Sequence, residues 1–215
     1  MLYTEATIVG EDLCLDRRKA IYWKRKNALL IADLHLGKAK HFRNEGLAVP
    51  LKVQQSNLDL LQELLVAYKP ETVYFLGDLF HSIYNDVWEV FGEFIQGFPD
   101  VSFELILGNH DILEESNYHR IGLKIWEEPH EISPFLLTHH PYDEIIEGKY
   151  NLHGHIHPCV YLQGAGKQYL RLPCFHFGAF HGILPAFGAF TGMAKVDCTK
   201  ADKVYVITKE KVIEV

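Results

Sequence analysis

Apolar runs that end abruptly in clusters of Asp, Asn and His residues are the feature that most constrains the fold of this chain. Continuous apolar stretches bounded by turn residues predict buried strands. Here they alternate with segments of helical periodicity, which predicts a layered α/β fold. The predicted strands are Ala28–Ala32, Thr72–Leu76 and Ser102–Leu107, and the predicted helices are Val87–Phe98 and the segment with Leu58, Leu61, Leu65 and Tyr68.

The two ends of the chain have a different pattern. Short β-like runs separated by polar turns precede Ala28 and predict a β-meander that leads into the first buried strand. From Pro134 onward, short strand-like runs separated by Gly, Pro and Lys turns predict antiparallel pairing. Neither a repeat nor a low-complexity linker marks a boundary, so we expect a single domain over residues 1–215.

Composition limits the classes of protein to which the chain can belong. Its 215 residues are 48% hydrophobic, enough for one sizeable core, and no apolar stretch or basic leader predicts membrane insertion or export. Four scattered Cys residues without a C-x-x-C pair argue against a disulfide framework or a thiolate zinc site, so a cytoplasmic location is expected. The net charge of −7 counts against nonspecific binding of nucleic acid, so the attraction of a phosphate ester must be local.

Five polar clusters follow the predicted strands. Because ligands of open α/β sheets bind outside the carboxyl ends of the strands, we expect the clusters to converge on one site. Carboxylates, imidazoles and an amide oxygen, without thiolates, suit Mn²⁺, Fe²⁺ or Zn²⁺. The clusters are "DLH" with Asp33 and His35, "GD" with Asp78, "GNHD" with Asn109, His110 and Asp111, "THH" with His139 and His140, and "HGHIH" with His153, His155 and His157.

Residue spacing within these clusters supports a shared metal site. In D-x-H and H-x-H, the two side chains lie on the same side of an extended segment and can reach the same metal cluster. Glycine before Asp78, Asn109 and His155 permits a tight turn or a close backbone approach. Each motif alone is common in turns and caps, but the ordered set, each member after an apolar strand, strongly indicates metal chemistry.

The ordered blocks "DLH", "GD", "GNHD", "TH" and "GHIH" resemble those of the calcineurin-like metallophosphoesterase superfamily, over roughly residues 28–158. The segments "ADLHLGKAKHFRNEGLAVP", "LGDLFHS", "GHIHP" and "LPAFGAFTG" are similar to a narrower group, the DNA-ligase-associated, PdeM-like metallophosphoesterases of bacteria and archaea. The resemblance implies a four-layer αββα fold, with two stacked mixed β-sheets flanked by helices. It also implies a nuclease or phosphodiesterase with a role in DNA repair.

The same resemblance implies which residues hold two divalent metal ions. Mn²⁺ is the expected ion, and Fe²⁺ and Zn²⁺ are the alternatives. Two cations about 3.5–4 Å apart can hold a bridging hydroxide and stabilise charge on the phosphoryl oxygens, so no protein nucleophile is needed. The implied ligands are Asp33, His35 and His157 of one ion, Asn109, His139 and His155 of the other, and Asp78 as a bridge between them.

The three polar residues of "GNHD" are predicted to have different roles. Asn109 supplies a neutral oxygen ligand, whereas His110 is not a ligand in the family pattern. We expect His110 to act as a general acid at the leaving-group oxygen or to stabilise its charge. Asp111 is expected to hold the His110 imidazole in the productive tautomer.

Four basic residues are candidate contacts for substrate phosphates. Lys38, His41 and Arg43 follow the first metal pair in "GKAKHFR", for which a solvated basic helix start is the alternative. His81 stands where the wider superfamily commonly has Asp in G-D-x-x-D. Two other basic segments, "DRRK" and "WKRK", are interpreted as solvated turns and strand ends rather than nucleic-acid contacts.

Other notable features receive a structural interpretation. His140 and His153 are interpreted as histidines beside the site rather than as ligands. The segment "LPCFHFGAFHGILPAFGAFTG" is assigned to core packing and tight turns, with base stacking or a subunit interface as alternatives.

The predicted function is therefore metal-dependent hydrolysis of phosphate esters, with DNA as a candidate substrate. The alternatives are an enzyme for small nucleotides or monoesters and a noncatalytic metal-binding scaffold. All seven implied ligands and His110 are present, which favours catalysis over a scaffold. Association with a DNA ligase follows from resemblance alone, no membrane partner is expected, and the oligomeric state is left open.

Overall fold

Two stacked β-sheets form the centre of the protein. The computed structural model describes residues 2–38, 52–80, 86–163, 169–189 and 191–215. Within these ranges, the first sheet has seven strands arranged in their order along the chain. They are β1 (Tyr3–Ile8), β2 (Glu11–Asp16), β3 (Ala20–Trp23), β4 (Ala28–Ala32), β5 (Thr72–Leu76), β6 (Ser102–Ile106) and β7 (Lys124–Trp126).

The direction of strand pairing changes inside the first sheet. Strands β1 to β4 pair antiparallel as the predicted meander, and strands β4 to β7 pair parallel. Parallel neighbours require crossover connections, which here include helices. The carboxyl ends of β4, β5 and β6 therefore lie at one edge of the sheet. Strand β3 runs antiparallel to β4 and so begins at that same edge.

Three α-helices in the described residues pack on one face of the first sheet. Leu61, Phe91 and Tyr118, one from each helix, share a buried cluster with Ile31 and Phe75 of the sheet. Burial of apolar side chains of this size stabilises a fold by about 1.5–3 kcal/mol each. The helices are α1 (Lys52–Tyr68), α2 (Asp86–Gln96) and α3 (Glu115–Arg120), and a short 3₁₀ helix spans Lys24–Lys26.

The second sheet packs on the other face of the first. Its nine strands in the described ranges are β8 (His130–Ile132), β9 (Phe135–Thr138), β10 (Tyr150–His153), β11 (Pro158–Gln163), β12 (Tyr169–Phe177), β13 (His181–Ile183), β14 (Ala194–Lys195), β15 (Lys203–Ile207) and β16 (Val212–Glu214). Leu30 and Leu76 of the first sheet share a buried cluster with Leu137, Leu152 and Phe175 of the second. Strands β4 and β5 are therefore covered on both faces, which explains their apolar sequences.

Strand pairing in the second sheet corrects the prediction of an antiparallel C-terminal half. The pairs β9 with β10, β10 with β13 and β11 with β14 are parallel. The other five pairs described in this sheet are antiparallel. A short apolar strand shows which of its faces is buried, but it does not show which strand lies beside it. The antiparallel expectation is therefore wrong for three pairs.

The predicted α/β architecture of two stacked mixed sheets flanked by helices is confirmed. The predicted strands 28–32 and 72–76 have the bounds that the structure shows, and the third ends one residue earlier than predicted. Helix α3 and strand β7 were not predicted, because both are short and carry few buried side chains. The expectation of a single domain stays a prediction. No helix in the described ranges is long and apolar enough to cross a membrane.

The basic segment "DRRK" does not form the solvated turn that we predicted. Asp16 is fully buried, and Arg18 is only 7% exposed. The Asp16 carboxylate accepts hydrogen bonds from the backbone and guanidinium of Arg18 and from the Tyr68 hydroxyl. A buried charge needs such a partner. The interpretation is wrong here because a run of charged letters does not reveal burial.

Candidate metal centre

Loops that are distant in sequence converge at the carboxyl edge of the first sheet. The His35 N–H donates to the Asp78 carbonyl oxygen (2.9 Å), which joins the loops after β4 and β5. The Gly154 N–H donates to the His139 carbonyl oxygen (3.2 Å), which joins the loops after β9 and β10. The structure therefore brings the predicted polar clusters to one place.

One group of donor atoms comes from Asp33, His35 and His157, whose ligand atoms all lie within 4.8 Å of one another. The Oδ1 atom of Asp33 lies 3.3 Å from His157 Nε2, and its Oδ2 accepts the His155 N–H (3.0 Å). His157 Nδ1 lies 3.1 Å from the Gly192 carbonyl oxygen. A ring N–H that donates to this carbonyl orients Nε2 towards Asp33.

A second group surrounds Nε2 of His139. This nitrogen lies 3.0 Å from Asn109 Oδ1, 3.0 Å from His155 Nδ1 and 3.4 Å from Asp78 Oδ1. The other oxygen of Asp78, Oδ2, lies 3.9 Å from His35 Nε2 in the first group. Asp78 thus presents one carboxylate oxygen to each group.

The tautomer of His139 decides what this second group can hold. Its Nδ1 lies 3.1 Å from the Leu76 carbonyl oxygen, so an N–H at Nδ1 donates there and the neutral ring has a lone pair at Nε2. That lone pair faces Asn109 Oδ1 and Asp78 Oδ1, which also carry lone pairs. His155 Nδ1 can donate a hydrogen to this lone pair, but the two oxygens have none to donate and repel it unless a cation lies between them. Metal-binding histidines commonly use a backbone carbonyl in the same manner.

Burial of the two carboxylates supports the fit of a cation. Asp33 and Asp78 are 0% and 3% exposed, and no Lys or Arg in the described ranges forms an ion pair with either. Asp33 Oδ1 is also buried without a hydrogen-bond partner among the described residues. Buried charges normally have a charged partner or a metal ion. Divalent cations therefore suit the residues present.

Most of the implied ligands have a backbone conformation that is uncommon outside glycine. Five of the seven have φ angles between 49° and 63°, in the left-handed region. A non-glycine residue held there costs about 1–3 kcal/mol, and such residues cluster at functional sites. The five are Asp33, His35, Asp78, His155 and His157.

Two glycines allow the loops to approach each other. A Cβ atom on Gly77, which has a φ of 72°, would lie 2.3 Å from the ring of His139. A Cβ atom on Gly154 would lie 2.6 Å from Asp33 Oδ2. Real Cβ contacts are longer than this, so the close approach predicted for these glycines is a geometric requirement.

His110 lies beside Asp78 and also reaches solvent. Its backbone N–H donates to Asp78 Oδ1 (3.0 Å), its ring Nε2 lies 3.9 Å from Asp78 Oδ2, and its side chain is 42% exposed. Asp111 is buried, and its carboxylate accepts the backbone N–H groups of Phe80 (3.3 Å) and Gly108 (3.0 Å). The contacts described for Asp111 do not include the His110 ring, so its predicted role in orienting that ring stays a prediction.

Burial shifts the pKa values of groups near the centre. It raises the pKa of Asp111 to about 7, although backbone hydrogen bonds oppose the shift. It also lowers the pKa of His155, together with the two histidines beside that ring, and so favours the neutral form that binds metals.

Of the four predicted substrate contacts, only Lys38 lies in the described ranges. Its backbone N–H donates to the His35 carbonyl oxygen (3.3 Å), so Lys38 lies beside the centre. Burial lowers the pKa of its amine, and the negative charges of the Asp78 and Asp33 carboxylates oppose this shift. His41 and Arg43 lie among residues 39–51, and His81 lies among residues 81–85, all outside the described residues.

His140 and Glu128 lie next to the second group. His140 Nδ1 lies 2.7 Å from Glu128 Oε1, and the His140 ring centroid lies 4.6 Å from those of His139 and His155. Burial opposes ionisation of Glu128, but hydrogen bonds from His140 and from two backbone N–H groups hold the pKa of its carboxyl below the usual value. Sequence reasoning missed Glu128, because it belongs to no motif.

Comparison with known proteins defines the class of the chain. Residues 27–207 match the family model of the calcineurin-like phosphoesterases. The match spans most of the sequence, so the chain belongs to the calcineurin-like phosphoesterase family and is a hydrolase that acts on phosphoester bonds. Among curated proteins, none matches this chain.

Solved structures extend the comparison to the whole chain. The nuclease MPE of Pseudomonas putida matches with a TM-score of 0.82 and 28% sequence identity, covering 99% of this chain and 100% of that one. Yfce, a phosphoesterase from E. coli, matches with a TM-score of 0.43 and 15% identity, covering 87% of this chain and 97% of that one. The P. putida nuclease thus has the same arrangement of elements over essentially its full length.

Proposed function

We propose that the protein is a metal-dependent phosphodiesterase that cleaves nucleic acid. The observation that carries the proposal is the convergence of acceptor atoms on His139 Nε2, which faces oxygens of Asn109 and Asp78 at 3.0 and 3.4 Å. A centre whose oxygens and imidazoles suit divalent cations, at the carboxyl edge of a phosphoesterase sheet, is suited to catalysis on phosphate esters.

The proposed centre holds two divalent cations, with Mn²⁺ as the expected ion. When bound, such a pair lowers the pKa of a shared water and stabilises charge on the phosphoryl oxygens. The two oxygens of Asp78 face different groups, which supports its role as the bridge. The proposed ligands are Asp33, His35 and His157 on one side, Asn109, His139 and His155 on the other, and Asp78 between them.

His110 is proposed to donate a proton to the leaving-group oxygen. Its backbone bond to Asp78 fixes its position beside the centre, and its partly exposed ring can contact a substrate that enters from solvent. General acid catalysis of this kind contributes about 10²–10⁴ in rate. Asp111 links the loops after β5 and β6 and thereby holds the His110 segment in place.

Two observations favour a nucleic-acid diester as the substrate. The similar P. putida structure is that of a nuclease. Lys38 places a basic group near the centre of a chain whose overall charge is −7, which is the local attraction that a phosphate backbone needs. The role in DNA repair, the association with a DNA ligase and the cytoplasmic location follow from the sequence resemblance and composition and stay predictions.

The test is hydrolysis of bis-p-nitrophenyl phosphate and p-nitrophenyl phosphate by the wild type and by Asp78→Ala, with Mn²⁺ or EDTA. We expect Mn²⁺-dependent cleavage that favours the diester and is lost in Asp78→Ala. Asp197→Ala is a matched control, because the Asp197 side chain is fully exposed and its nearest cation, Lys195, lies 3.8 Å away. Metal content is measured on all three proteins.

The outcomes separate the candidate functions. Diester cleavage that survives EDTA and Asp78→Ala would overturn the metal mechanism. A preference for the monoester would replace a phosphodiesterase with a phosphatase. Two bound metals without turnover of either ester, or of single-stranded DNA, would favour a noncatalytic scaffold.

A further inference from the structure

A cavity of about 170 Å³ adjoins the metal centre on the side of His157. We call it the Lys19 pocket, because Lys19 supplies a cationic group to its lining. His157 and Thr191 are its other polar side chains, and the rest of its wall is made by Pro, Ala and Met residues. No Asp or Glu from the described part of the chain lines it. The cavity is therefore partly apolar and locally basic.

Lys19 has no acidic partner among the described residues. Its side chain is partly buried, and no carboxylate there lies within ion-pair distance of its Nζ. The nearest acid in sequence, Asp16, is already bonded to Arg18 and Tyr68. Burial lowers the pKa of Lys19, as expected for an ammonium group without a nearby carboxylate. An anionic ligand in the cavity would supply it.

Lys19 and His110 lie on opposite sides of the proposed metal centre. Lys19 directly precedes β3, which begins at the sheet edge where β4 ends and Asp33 follows. Along this edge the strands run in the order β3, β4, β5, β6. Lys19 therefore stands at one end of the row of loops, and His110, after β6, stands at the other end.

We propose that the Lys19 pocket binds a second phosphate group of the substrate, on the part that stays attached to the phosphorus after cleavage. The inference rests on the proposed function, because it takes His110 to mark the side of the leaving group. The apolar wall suits the nucleoside that connects the two phosphates. The substrate class is then a nucleic-acid strand, or a nucleotide with a phosphate beyond the scissile one.

A second lysine shares the backbone conformation of Lys19 and serves as a control. The φ angle of Lys19 is 65°, in the left-handed region that five of the proposed metal ligands also occupy. Lys69 provides a matched control, since it is also a lysine with a positive φ angle, 46°. It is exposed and lies just before β5, at the opposite edge of the sheet.

The test compares two reporter esters with the same leaving group. They are thymidine 5′-(p-nitrophenyl phosphate) with a free 3′-hydroxyl and the same ester with a 3′-phosphate. We expect the wild type to prefer the 3′-phosphorylated ester, and Lys19→Met to lose roughly ten- to a hundred-fold in kcat/KM on that ester alone, mainly through KM. Lys69→Met keeps the preference, and Lys19→Arg retains most of it.

Binding gives a readout that does not depend on turnover. Thymidine 3′,5′-bisphosphate is expected to bind the wild type more tightly than thymidine 5′-phosphate in calorimetry, and the difference is expected to vanish in Lys19→Met. Thermal unfolding and metal content of each variant show that the protein is intact.

Failure of the inference is distinguishable from failure of the proposed function. Wild-type enzyme that cleaves both reporters without preferring the 3′-phosphate, or Lys19→Met that keeps the preference, overturns the Lys19 pocket and leaves the phosphodiesterase standing. Wild-type enzyme that cleaves no diester and binds both nucleotides equally overturns both.

Discussion

Two histidine clusters lie close together in this protein, and they differ in what their ring nitrogens face. In the metal centre, His139 Nε2 lies 3.0 Å from His155 Nδ1 and also faces two acceptor oxygens, Asn109 Oδ1 and Asp78 Oδ1. In the second cluster, His153 Nδ1 lies 3.0 Å from the Gly154 carbonyl oxygen, and its Nε2 lies 3.1 Å from His181 Nδ1. Ordinary donor and acceptor pairs account for both nitrogens of His153. Both rings place Nδ1 near a backbone carbonyl oxygen, so the difference lies in Nε2. The groups that Nε2 faces, rather than the number of histidines nearby, distinguish a proposed ligand from a structural histidine.

In the second cluster, which also includes His176 and Asp202, described partners account for both ring nitrogens of His153 and for Nε2 of His176. Burial lowers the pKa of His153 to about 4, so its ring is neutral at pH 7 and can share one hydrogen with His181. His176 Nε2 lies 3.2 Å from Asp202 Oδ2, which pairs an imidazole with a carboxylate directly. These bonds agree with the interpretation of His153 as a histidine beside the site.

The largest expected effect is that of His139→Ala. The His139 ring faces three other potential ligand atoms, so its removal is expected to deplete the second metal. Diester hydrolysis is expected to fall by about a thousand-fold, because the cation pair supplies several kcal/mol of charge stabilisation. Elemental analysis and kcat/KM with bis-p-nitrophenyl phosphate check this. If the variant keeps two metals and normal turnover, His139 is not a ligand, and the proposed difference between the two clusters is wrong.

His110→Gln is expected to have the next largest effect. If His110 donates a proton and binds no metal, the variant keeps both metals and loses about a hundred-fold in kcat on esters with basic leaving groups. The loss is smaller on p-nitrophenyl esters, whose leaving group needs no proton. The measurement is a series of phenyl-substituted diesters, and an equal loss across the series would argue against a general acid.

Metal binding is expected to stabilise the centre measurably. At a free Mn²⁺ concentration of about 100 times Kd, linkage gives about 2.7 kcal/mol, which raises Tm by about 5–10 °C in a chain of this size. Differential scanning calorimetry with EDTA or Mn²⁺ tests this in the wild type. Asp202→Ala should keep the Mn²⁺ shift and Asp78→Ala should lose it, whereas the reverse pattern would place the cations in the second cluster.

The smallest expected effect is that of His181→Ala. The change leaves His153 Nε2 without its described partner, and an unsatisfied buried group costs about 1–2 kcal/mol, seen as a Tm lowered by about 2–8 °C. Metal content is expected to be unchanged. Metal loss in this variant would show that the two clusters are energetically coupled.

The sequence predicts those strands whose apolar residues are all buried in the folded protein. Strands β4 and β5 are covered on both faces, so their continuous apolar sequences indicate buried strands. The polar residues that follow them mark where the strands end. The convergence of the loops after β4 and β5 follows from the parallel order of these strands, and the polar cluster after β9 joins them because the two sheets stack. This is why the positions around Asp33, Asp78 and His139 could be expected to lie together.

The rest depends on contacts that no local pattern encodes. The parallel pairing of β9 with β10 depends on which strand lies alongside, and the burial of Asp16 depends on Arg18 and Tyr68. The Gly192 carbonyl, which orients His157, is a backbone group that every residue carries, so the sequence does not indicate its role. Lys19 becomes notable only because the structure shows a cavity beside it.

The left-handed backbone of five proposed ligands has a consequence for engineering. Glycine adopts such φ angles without a Cβ penalty, so a redesign that scores only the metal-free chain would favour glycine at these positions. Each such replacement relieves local strain and deletes a donor atom. At Asp33 and Asp78 the same replacement also removes the acceptor of a backbone N–H, so stability of the apoprotein and catalytic capacity are most directly opposed at His35, His155 and His157.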